Sequence, residues 1–572
     1  MSVIKLKKAR CKNCYKCIRV CNVKSILFKE EQAKIISDDC ILCGKCLEAC
    51  PQNAKQLDSM LDTVKDFFFR KETVIVSLAP SFIGSFDIRH PGQMVAALKK
   101  LGFAAVEETA VGAAYVTREY HKLAEDGSMD TMITTCCPTV NALVEKYYPD
   151  LIGCMAPVLS PMVAHGKLIK QSYGEKPVRV VFIGPCISKM AEAADPRSGG
   201  SIDAVLNFEE VQQWLSDENI VPGDLEPEAF SRGNSGLSRI YPVTAGILKD
   251  LKKYGAPEKY TLLSVDSIEE CMLSLDAIRE GELKGYFIEM NACTGGCING
   301  PLKNSAPFEK FKTKGTVIDY AKTNQDGEAL ELLEEFDIHK TFMDRSTHEK
   351  EPTEEEIRAI LRKIGKETKM DELNCGACGY PSCREKAIAV YKGKAELYMC
   401  LPYMHERAQS LANVILDNTP NVILAIDEEY KIRELNSAFE KMFHTSKAEA
   451  MGRYLYEFID TDDFEFVWQS GESIVNKKVE YKQYDLVTEQ TILFVPNQQL
   501  VMGIFRDVTH EEKEAEQMNH LRLETIKMAQ GVIDKQMVVA QEIASLLGET
   551  TAETKVTLTK LKDMVLFNED DA

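Results

Sequence analysis

The chain is predicted to be a multidomain protein of mixed α/β and α+β class. Three observations predict this. Its 572 residues exceed one ordinary domain and suit three to five. Its 19 cysteines fall into tight groups separated by cysteine-poor stretches. Short apolar runs at 73–78, 129–134, 178–184 and 284–289 alternate with helical patterns, the signature of an α/β layer. The 45% hydrophobic content is ordinary for a globular protein. No run of about 18 apolar residues occurs, so no membrane span is expected. The first residues, Met1-Ser2-Val3-Ile4-Lys5, lack the apolar stretch of a secretory signal, and a cytoplasmic location is expected. A net charge of −19 argues against nucleic-acid binding. Grouped cysteines in a long chain without an export signal read as metal ligands rather than disulfides.

Residues 1–62 carry an internal repeat. Cys11, Cys14, Cys17 and Cys21 are followed by Cys40, Cys43, Cys46 and Cys50 at the same spacing, with Pro51 after the second run and Asn22 after the first. This is the spacing of two-cluster ferredoxins, in which the fourth cysteine of each run ligates the other cluster. On that pattern Cys11, Cys14, Cys17 and Cys50 hold one [4Fe–4S] cluster, and Cys40, Cys43, Cys46 and Cys21 hold the second. A pair of zinc knuckles is the alternative, and the spacing disfavours it.

Residues 63–365 form the α/β domain with a charged, linker-like end at 320–370. Its apolar runs precede Ala79-Pro80-Ser81, Thr134-Thr135-Cys136-Cys137-Pro138, Gly184-Pro185-Cys186-Ile187-Ser188-Lys189 and Glu289-Met290-Asn291-Ala292-Cys293-Thr294-Gly295-Gly296-Cys297. Ligands of open α/β sheets bind beyond the carboxyl ends of the strands, where these segments fall. The last three resemble the signature motifs of [FeFe]-hydrogenases, over roughly residues 65–320. The resemblance implies that Cys137, Cys186, Cys293 and Cys297 ligate a [4Fe–4S] cube, and that Cys297 also bridges to a two-iron subcluster carrying CO, CN⁻ and a dithiolate with a bridgehead amine. Together these are the H-cluster, where H2 is split between the distal iron and the amine. Lys189 would donate to one cyanide, with donors near Pro80 and Ser81 holding the other. Cys136 would shuttle protons, since an unperturbed thiol pKa of about 8.5 lies near operating pH.

The same resemblance exposes departures. Two methionines expected around the subcluster are Gly184, which looks emptier, and Asn291, which is more polar. An expected tryptophan is Val140, and a proton-path serine aligns with Ala156. The two glutamates of that path fall in the region of Tyr120-His121-Lys122-Leu123, where neither is matched. The proton path beyond Cys136 is therefore expected to be broken. Glu289 is a candidate substitute, with a structural hydrogen bond as its plainer role.

Residues 366–405 hold Cys375, Cys378, Cys383 and Cys400. They resemble a small [4Fe–4S] domain of other redox proteins, which implies a third accessory cluster; zinc is the alternative. Residues 406–510 lack cysteine and resemble a PAS domain, with strand-like Val422–Asp427 and a closing segment that ends in Asp507-Val508-Thr509. Residues 511–572 read as helical, with Met518, Leu521, Met528, Val532 and Val539 near coiled-coil spacing, which suggests an output helix and a homodimer.

Altered surroundings of the cluster together with a PAS domain imply an H2 sensor that converts H2 to protons and electrons slowly. Its expected partners are H2 and protons, a redox partner such as ferredoxin, and a downstream kinase or phosphatase. A metabolic ferredoxin-linked hydrogenase, a non-catalytic iron–sulfur scaffold and a PAS-driven redox switch are the alternatives.

Overall fold

The computed structural model describes residues 3–547 and 555–562, apart from 8–9, 175, 233–234, 256–257, 303–308, 324–331, 348–349 and 561. The chain divides into two compact units, Met1–Tyr403 and Met404–Ala572.

The first unit opens with strands β1 (Ile4–Leu6), β2 (Ile26–Lys29), β3 (Gln32–Ile35) and β4 (Lys55–Leu57). β1 pairs with β4, and β2 with β3, both antiparallel. Between them lie short helices Lys16–Val20 and Lys45–Glu48, which carry Cys17 and Cys46. Their apolar side chains, Ile18 and Phe28 among them, join one core with Ile187, Tyr380 and Met399 from later in the chain. The cysteine-rich beginning is thus packed onto the rest of the unit by ordinary hydrophobic burial.

The centre is built on two parallel sheets. Their strands are β5 (Thr73–Leu78), β6 (Ala105–Glu108), β7 (Met132–Ile133), β8 (Val178–Ile183), β9 (Ala204–Leu206), β10 (Thr261–Asp266) and β11 (Tyr286–Asn291). One sheet has the order β6-β5-β8-β9 and the other β10-β11-β7. β5 and β8 run in register from Thr73↔Val178 to Leu78↔Ile183. A parallel strand covered on both faces must be apolar throughout. Val74, Ile75, Val76 and Leu78 of β5 are buried and apolar, and buried Ser77 is satisfied by Thr109 Oγ1 and His165 Nδ1, both at 2.8 Å.

Two expected strands differ in extent. The run at 129–134 keeps only Met132 and Ile133, because its earlier backbone is claimed elsewhere. Tyr260 Oη donates to the Met129 carbonyl at 2.5 Å, and the Gly285 amide to that of Asp130 at 2.9 Å. The run at 284–289 becomes Tyr286–Asn291, in register with β10 from Thr261↔Tyr286. The linker-like end is also more structured than its charge suggests. Phe336 and Ile338 enter the main core, and the Leu159 amide donates to the Ile338 carbonyl at 2.8 Å. Helix Glu354–Lys363 starts at Thr353, whose Oγ1 caps the Glu356 amide.

Buried charge fastens β6 to the loops around it. Glu108 ends β6 and accepts from Arg239 Nε at 2.8 Å and Nη2 at 2.7 Å, with both side chains almost fully buried. Tyr320 Oη donates to the same carboxylate, and the guanidinium lies 4.5 Å from the Tyr320 ring. Arg239→Met leaves Glu108 charged and unpaired in the core. It should lower unfolding free energy by about 3–5 kcal/mol, read as a fall in the urea midpoint of cluster-loaded protein.

The second unit has an antiparallel sheet of β12 (Val422–Ile426), β13 (Ile432–Leu435), β14 (Ile474–Tyr481), β15 (Leu486–Val495) and β16 (Leu500–Asp507), in the order β13-β12-β16-β15-β14. Short helices between β13 and β14 pack Phe439, Phe443, Phe458 and Phe464 against it. Thr509 joins the sheet to the long C-terminal helix: its Oγ1 donates to Asp507 Oδ1 at 2.6 Å and accepts from the Val487 amide at 2.9 Å. Helix Thr509–Leu547 then runs for 39 residues, with Met518, Leu521, Met528, Val532 and Val539 exposed. Residues 555–560 are helical; of the rest of the expected C-terminal helix, 548–554, 561 and 563–572 lie outside the described residues. Among the described residues no helix is long and apolar enough to cross a membrane.

Candidate metal centre

Four strand ends deliver the site. Pro80 and Ser81 follow β5, Cys136 and Cys137 follow β7, Cys186 follows β8, and Cys293 and Cys297 follow β11. Cys137 caps helix Pro138–Tyr147, whose proline at the first position suits a helix start. Cys186 stands just before helix Ser188–Ala194, which places Lys189 and Glu192 one turn apart on one face. All five central cysteines are part-exposed. Burial first, then the thiols of Cys137 and Cys186, pushes Cys297 up; burial, then Cys297, Cys186 and Cys137, pushes Cys293 up. The four thiols are therefore close enough to repel one another as anions. Such a set ligates a cation by giving up its protons, and soft thiolates suit iron. Among the described residues no three His, Cys, Asp or Glu side chains gather around a point that one ion could fill.

Two polar groups fit a further ligand beside these thiols. Ser81 Oγ is buried and has no hydrogen-bond partner among the described residues. Lys189 Nζ donates to Glu192 Oε2 at 2.7 Å and to the Cys136 carbonyl at 3.3 Å, which accounts for two of its three protons. Glu192 is held in turn by Ser160 Oγ at 2.9 Å and Lys340 Nζ at 3.3 Å. Burial alone would neutralise Lys189, but the Glu192 carboxylate outweighs it and the ammonium stays charged, its pKa raised. The lysine therefore faces the cysteines as a fixed cation, suited to an anionic ligand.

Cys136 Sγ lies 3.3 Å from Tyr120 Oη. That hydroxyl also accepts from the Thr135 amide at 2.8 Å, which leaves its own proton for Cys136 or Thr135. Burial pushes the Cys136 thiol up to about 12, against the lowering effects of Tyr120 and Lys189. The thiol is thus far from the unperturbed value expected from sequence and keeps its proton at neutral pH. Glu289 is fully buried and is pushed up to about 7 by that burial. Its Oε2 accepts from the Leu248 amide at 3.1 Å, and its Oε1 from Asn291 Nδ2 at 3.0 Å. These bonds give it the structural role, at the start of helix Gly246–Leu251. A folded-state pKa raised from 4.5 to about 7 favours the neutral form, so the folded chain holds a proton that the unfolded chain releases. Stability should therefore fall as pH rises through that window, by roughly 3 kcal/mol in all. Urea unfolding of cluster-loaded Glu289→Gln, which cannot titrate, should lack this slope.

The departures have structural counterparts. The space beside Gly184 is filled, not emptier: a Cβ there would lie 2.6 Å from the Phe182 ring and 3.1 Å from Ala79 Cβ. Val140 is buried beside Ile133 and Leu143 in a local core, and Ala156 is buried with no proton to pass. Tyr120 puts a phenol against Cys136 in the region where carboxylates were sought. Three contributors escaped the sequence reading. Glu192 was legible in principle as an acid three residues beyond Lys189 on one helix face. Tyr120 was noted only as a mismatch, and nothing in the sequence ties Lys340 to Glu192, 148 positions away.

The accessory sets are also assembled. Cys11, Cys14, Cys17 and Cys50 border one hollow. Cys375, Cys378, Cys383 and Cys400 border another, with Asn374 Oδ1 holding the Cys383 amide at 2.8 Å and Lys386 buried alongside. Burial raises Cys40, Cys43 and Cys46, and neighbouring thiols, Cys21 among them, add to it. Gly44 brings this set against the central site. Its φ of +79° and its contacts exclude a side chain, since a Cβ would meet Pro301 at 2.6 Å and Ile187 at 2.7 Å. Ile187 is the neighbour of Cys186.

Parallel sheets that deliver grouped thiols at their strand ends define an iron–sulfur protein, and comparison with known proteins gives the family. Residues 72–301 match the family described as iron only hydrogenase large subunit, C-terminal domain. Residues 10–54 match the 4Fe-4S dicluster domain, 370–402 an Fe-S cluster family and 411–483 the PAS fold. The chain belongs to the [FeFe]-hydrogenase large-subunit family, with a dicluster ferredoxin domain before the hydrogenase domain and an Fe-S motif and PAS domain after it. It is 26% identical over 392 residues to iron hydrogenase 1 of Clostridium pasteurianum, covering 50% of this chain and 68% of that one. To the NADP-reducing hydrogenase subunit HndD of Solidesulfovibrio fructosivorans it is 24% identical, covering 54% and 64%. To cytosolic iron-sulfur assembly component 3 of Bos taurus it is 22% identical, covering 49% and 74%. The chain thus spans about two thirds of the length of the two hydrogenases.

Proposed function

We propose that this chain is an H2 sensor built on a slow [FeFe]-hydrogenase. The observation that carries the reading is the meeting of Cys137, Cys186, Cys293 and Cys297 with Lys189, Cys136 and unpartnered Ser81, in a chain that also holds a PAS fold. The four thiols hold a [4Fe–4S] cube, and Cys297 also anchors the two-iron subcluster. When bound, that subcluster supplies the centre at which H2 is converted to protons and electrons. Lys189 Nζ binds one anionic ligand of the subcluster, and Ser81 Oγ with the turn at Pro80 binds another. Cys136 Sγ passes the proton to or from the site and exchanges it with Tyr120 Oη. Beyond Tyr120 the buried surroundings offer Thr135, whose hydroxyl is committed to the carbonyls of Ala156 and Val158 at 3.1 and 2.9 Å. A proton relay that narrows there favours slow turnover over bulk metabolism. Glu289, four residues before Cys293, is a buried carboxyl able to hold a proton near neutral pH, and besides its structural bonds it would extend the relay.

The sets Cys11, Cys14, Cys17 with Cys50, Cys40, Cys43, Cys46 with Cys21, and Cys375, Cys378, Cys383 with Cys400 hold three accessory [4Fe–4S] clusters. Cys14 is exposed, which suits exchange with a redox partner such as ferredoxin. The exposed apolar residues of Thr509–Leu547 suit a second copy of the chain, with a kinase or phosphatase downstream. A scaffold like the assembly component would need neither Cys136 nor Lys189. Turnover tests the reading: fully matured protein should oxidise H2 measurably but far below the median enzyme rate of about 10 s⁻¹. A rate typical of metabolic enzymes would contradict the sensor assignment.

A further inference from the structure

The segment Ala377–Tyr380, between two cysteines of the third accessory set, is seated on the N-terminal helix between Cys17 and Cys21. Gly379 has φ +92°, and a Cβ on it would lie 3.0 Å from Ile18 Cβ and 3.3 Å from the Tyr15 carbonyl. A side chain there would be strained by the positive φ and would crowd Ile18, so glycine favours this close seat. Lys24 clamps them: its Nζ donates to the Ile18 carbonyl at 3.0 Å and to the Gly379 carbonyl at 3.1 Å, and it lies 5.8 Å from the centre of the Tyr380 ring. Arg19 Nη2 reaches the Ala377 carbonyl at 3.4 Å. The Phe28 amide donates to the Lys394 carbonyl at 2.9 Å on the far side of the same contact. Tyr380 is almost fully buried, and its hydroxyl has no partner among the described residues. Cys17, Cys21, Cys378, Ile18 and Tyr380 share one apolar core.

We propose that Gly379 and Tyr380, seated on Ile18, form an electron crossing between the Cys21-ligated cluster and the cluster of Cys375, Cys378, Cys383 and Cys400. This rests on the proposed accessory clusters and adds their connectivity. The set of Cys40, Cys43, Cys46 and Cys21 is then a branch point. Its Cys43 side faces the central site, where Gly44 abuts Ile187 beside Cys186, and its Cys21 side shares an apolar core with Cys378 and Tyr380 of the third set. Electron transfer between clusters falls steeply with distance, and a seat that favours glycine serves close approach. One electron leaves one cluster, which is oxidised, and enters the other, which is reduced; no bond or proton changes hands. Cys400 immediately precedes helix Leu401–Asn418, so the branch ends at the start of the segment leading on to the PAS fold.

The test uses the full chain loaded with its [4Fe–4S] clusters alone, reduced with dithionite, and read by electron paramagnetic resonance. Adjacent reduced clusters broaden one another's signals and speed their relaxation. The wild type should show this broadening. Cys378→Ser should lose one cluster's iron together with part of the broadening. Gly379→Val should keep all its iron and lose that same part, and Lys24→Met, which cuts the clamp without crowding the seat, should lose some of it. A third cluster that is present but magnetically isolated in the wild type overturns the crossing while leaving the cluster assignment intact. Iron content unchanged in Cys378→Ser overturns both.

Discussion

Cys136→Ala should lower H2 turnover by about 10²–10⁴-fold, the range expected when a positioned proton carrier is removed. Iron content and the magnetic signature of the cubes should stay as in the wild type, because Cys136 is not among the four proposed ligands. The size of the effect reflects the surroundings. Pro80, Ser81 and Ala156 are buried near the strand ends, and among the described residues the side-chain partner of Cys136 is Tyr120. Tyr120 is itself fully buried, and burial followed by Cys136 pushes its hydroxyl well above the usual phenol range. It cannot replace the thiol by ionising. Cys136→Ser, which restores an exchangeable proton at that position, should recover less than the wild-type rate, because a hydroxyl gives up its proton less readily than a thiol. Unchanged turnover in Cys136→Ala would remove Cys136 from the proton route and shift attention to Glu289.

Lys189→Met should have the other large effect, and it should fall on cofactor retention before rate. Lys189 is nine-tenths buried and carries a charge sustained by Glu192. Its loss removes a charge-assisted contact in a site of low dielectric, where on the proposed reading Cys297 would be the subcluster's one covalent anchor. It also leaves Glu192, among the described residues, with Lys340 and Ser160 as its side-chain partners, so unfolding should become easier by about 1.5–3 kcal/mol, the loss of one charge-assisted bond. The two consequences separate experimentally. Lys189→Met, Glu192→Gln, Lys340→Met removes the three charges together and should recover stability, without restoring retention of the diiron unit after gel filtration. Full retention in either variant would mean that Ser81 and the thiols suffice.

The spacing of the cysteines made the clusters legible, because thiolate ligands must recur at intervals that a turn or one helix start can present. The α/β centre was legible for a related reason: β5 and β8 are buried on both faces, and their apolar runs stand out. What stayed hidden depends on distant partners. β6, β9 and β10 carry little periodic signal, since they are three to six residues long and gain their order from the strands beside them. The strap that brings Lys340 to Glu192 looks like a linker because its charges dominate its composition, while its anchors, Phe336 and Ile338 in the main core and Phe342 in a second cluster, are few and scattered. Gly184 suggested open space, and the Phe182 ring two residues earlier occupies it. Gly379 was legible as part of a cysteine motif, yet its seat on Ile18 depends on residues more than 350 positions away, which no local pattern reports.

Infrared spectroscopy of the full chain, matured with the two-iron subcluster, tests the central claim most directly. Bound CO and CN⁻ absorb where polypeptide is nearly silent. Sharp bands from both ligands should be present, should shift reversibly when H2 is admitted, and should vanish when Cys297 is replaced by alanine. Iron held only as cubes, with no diatomic bands in matured protein, would contradict H2 handling by this chain.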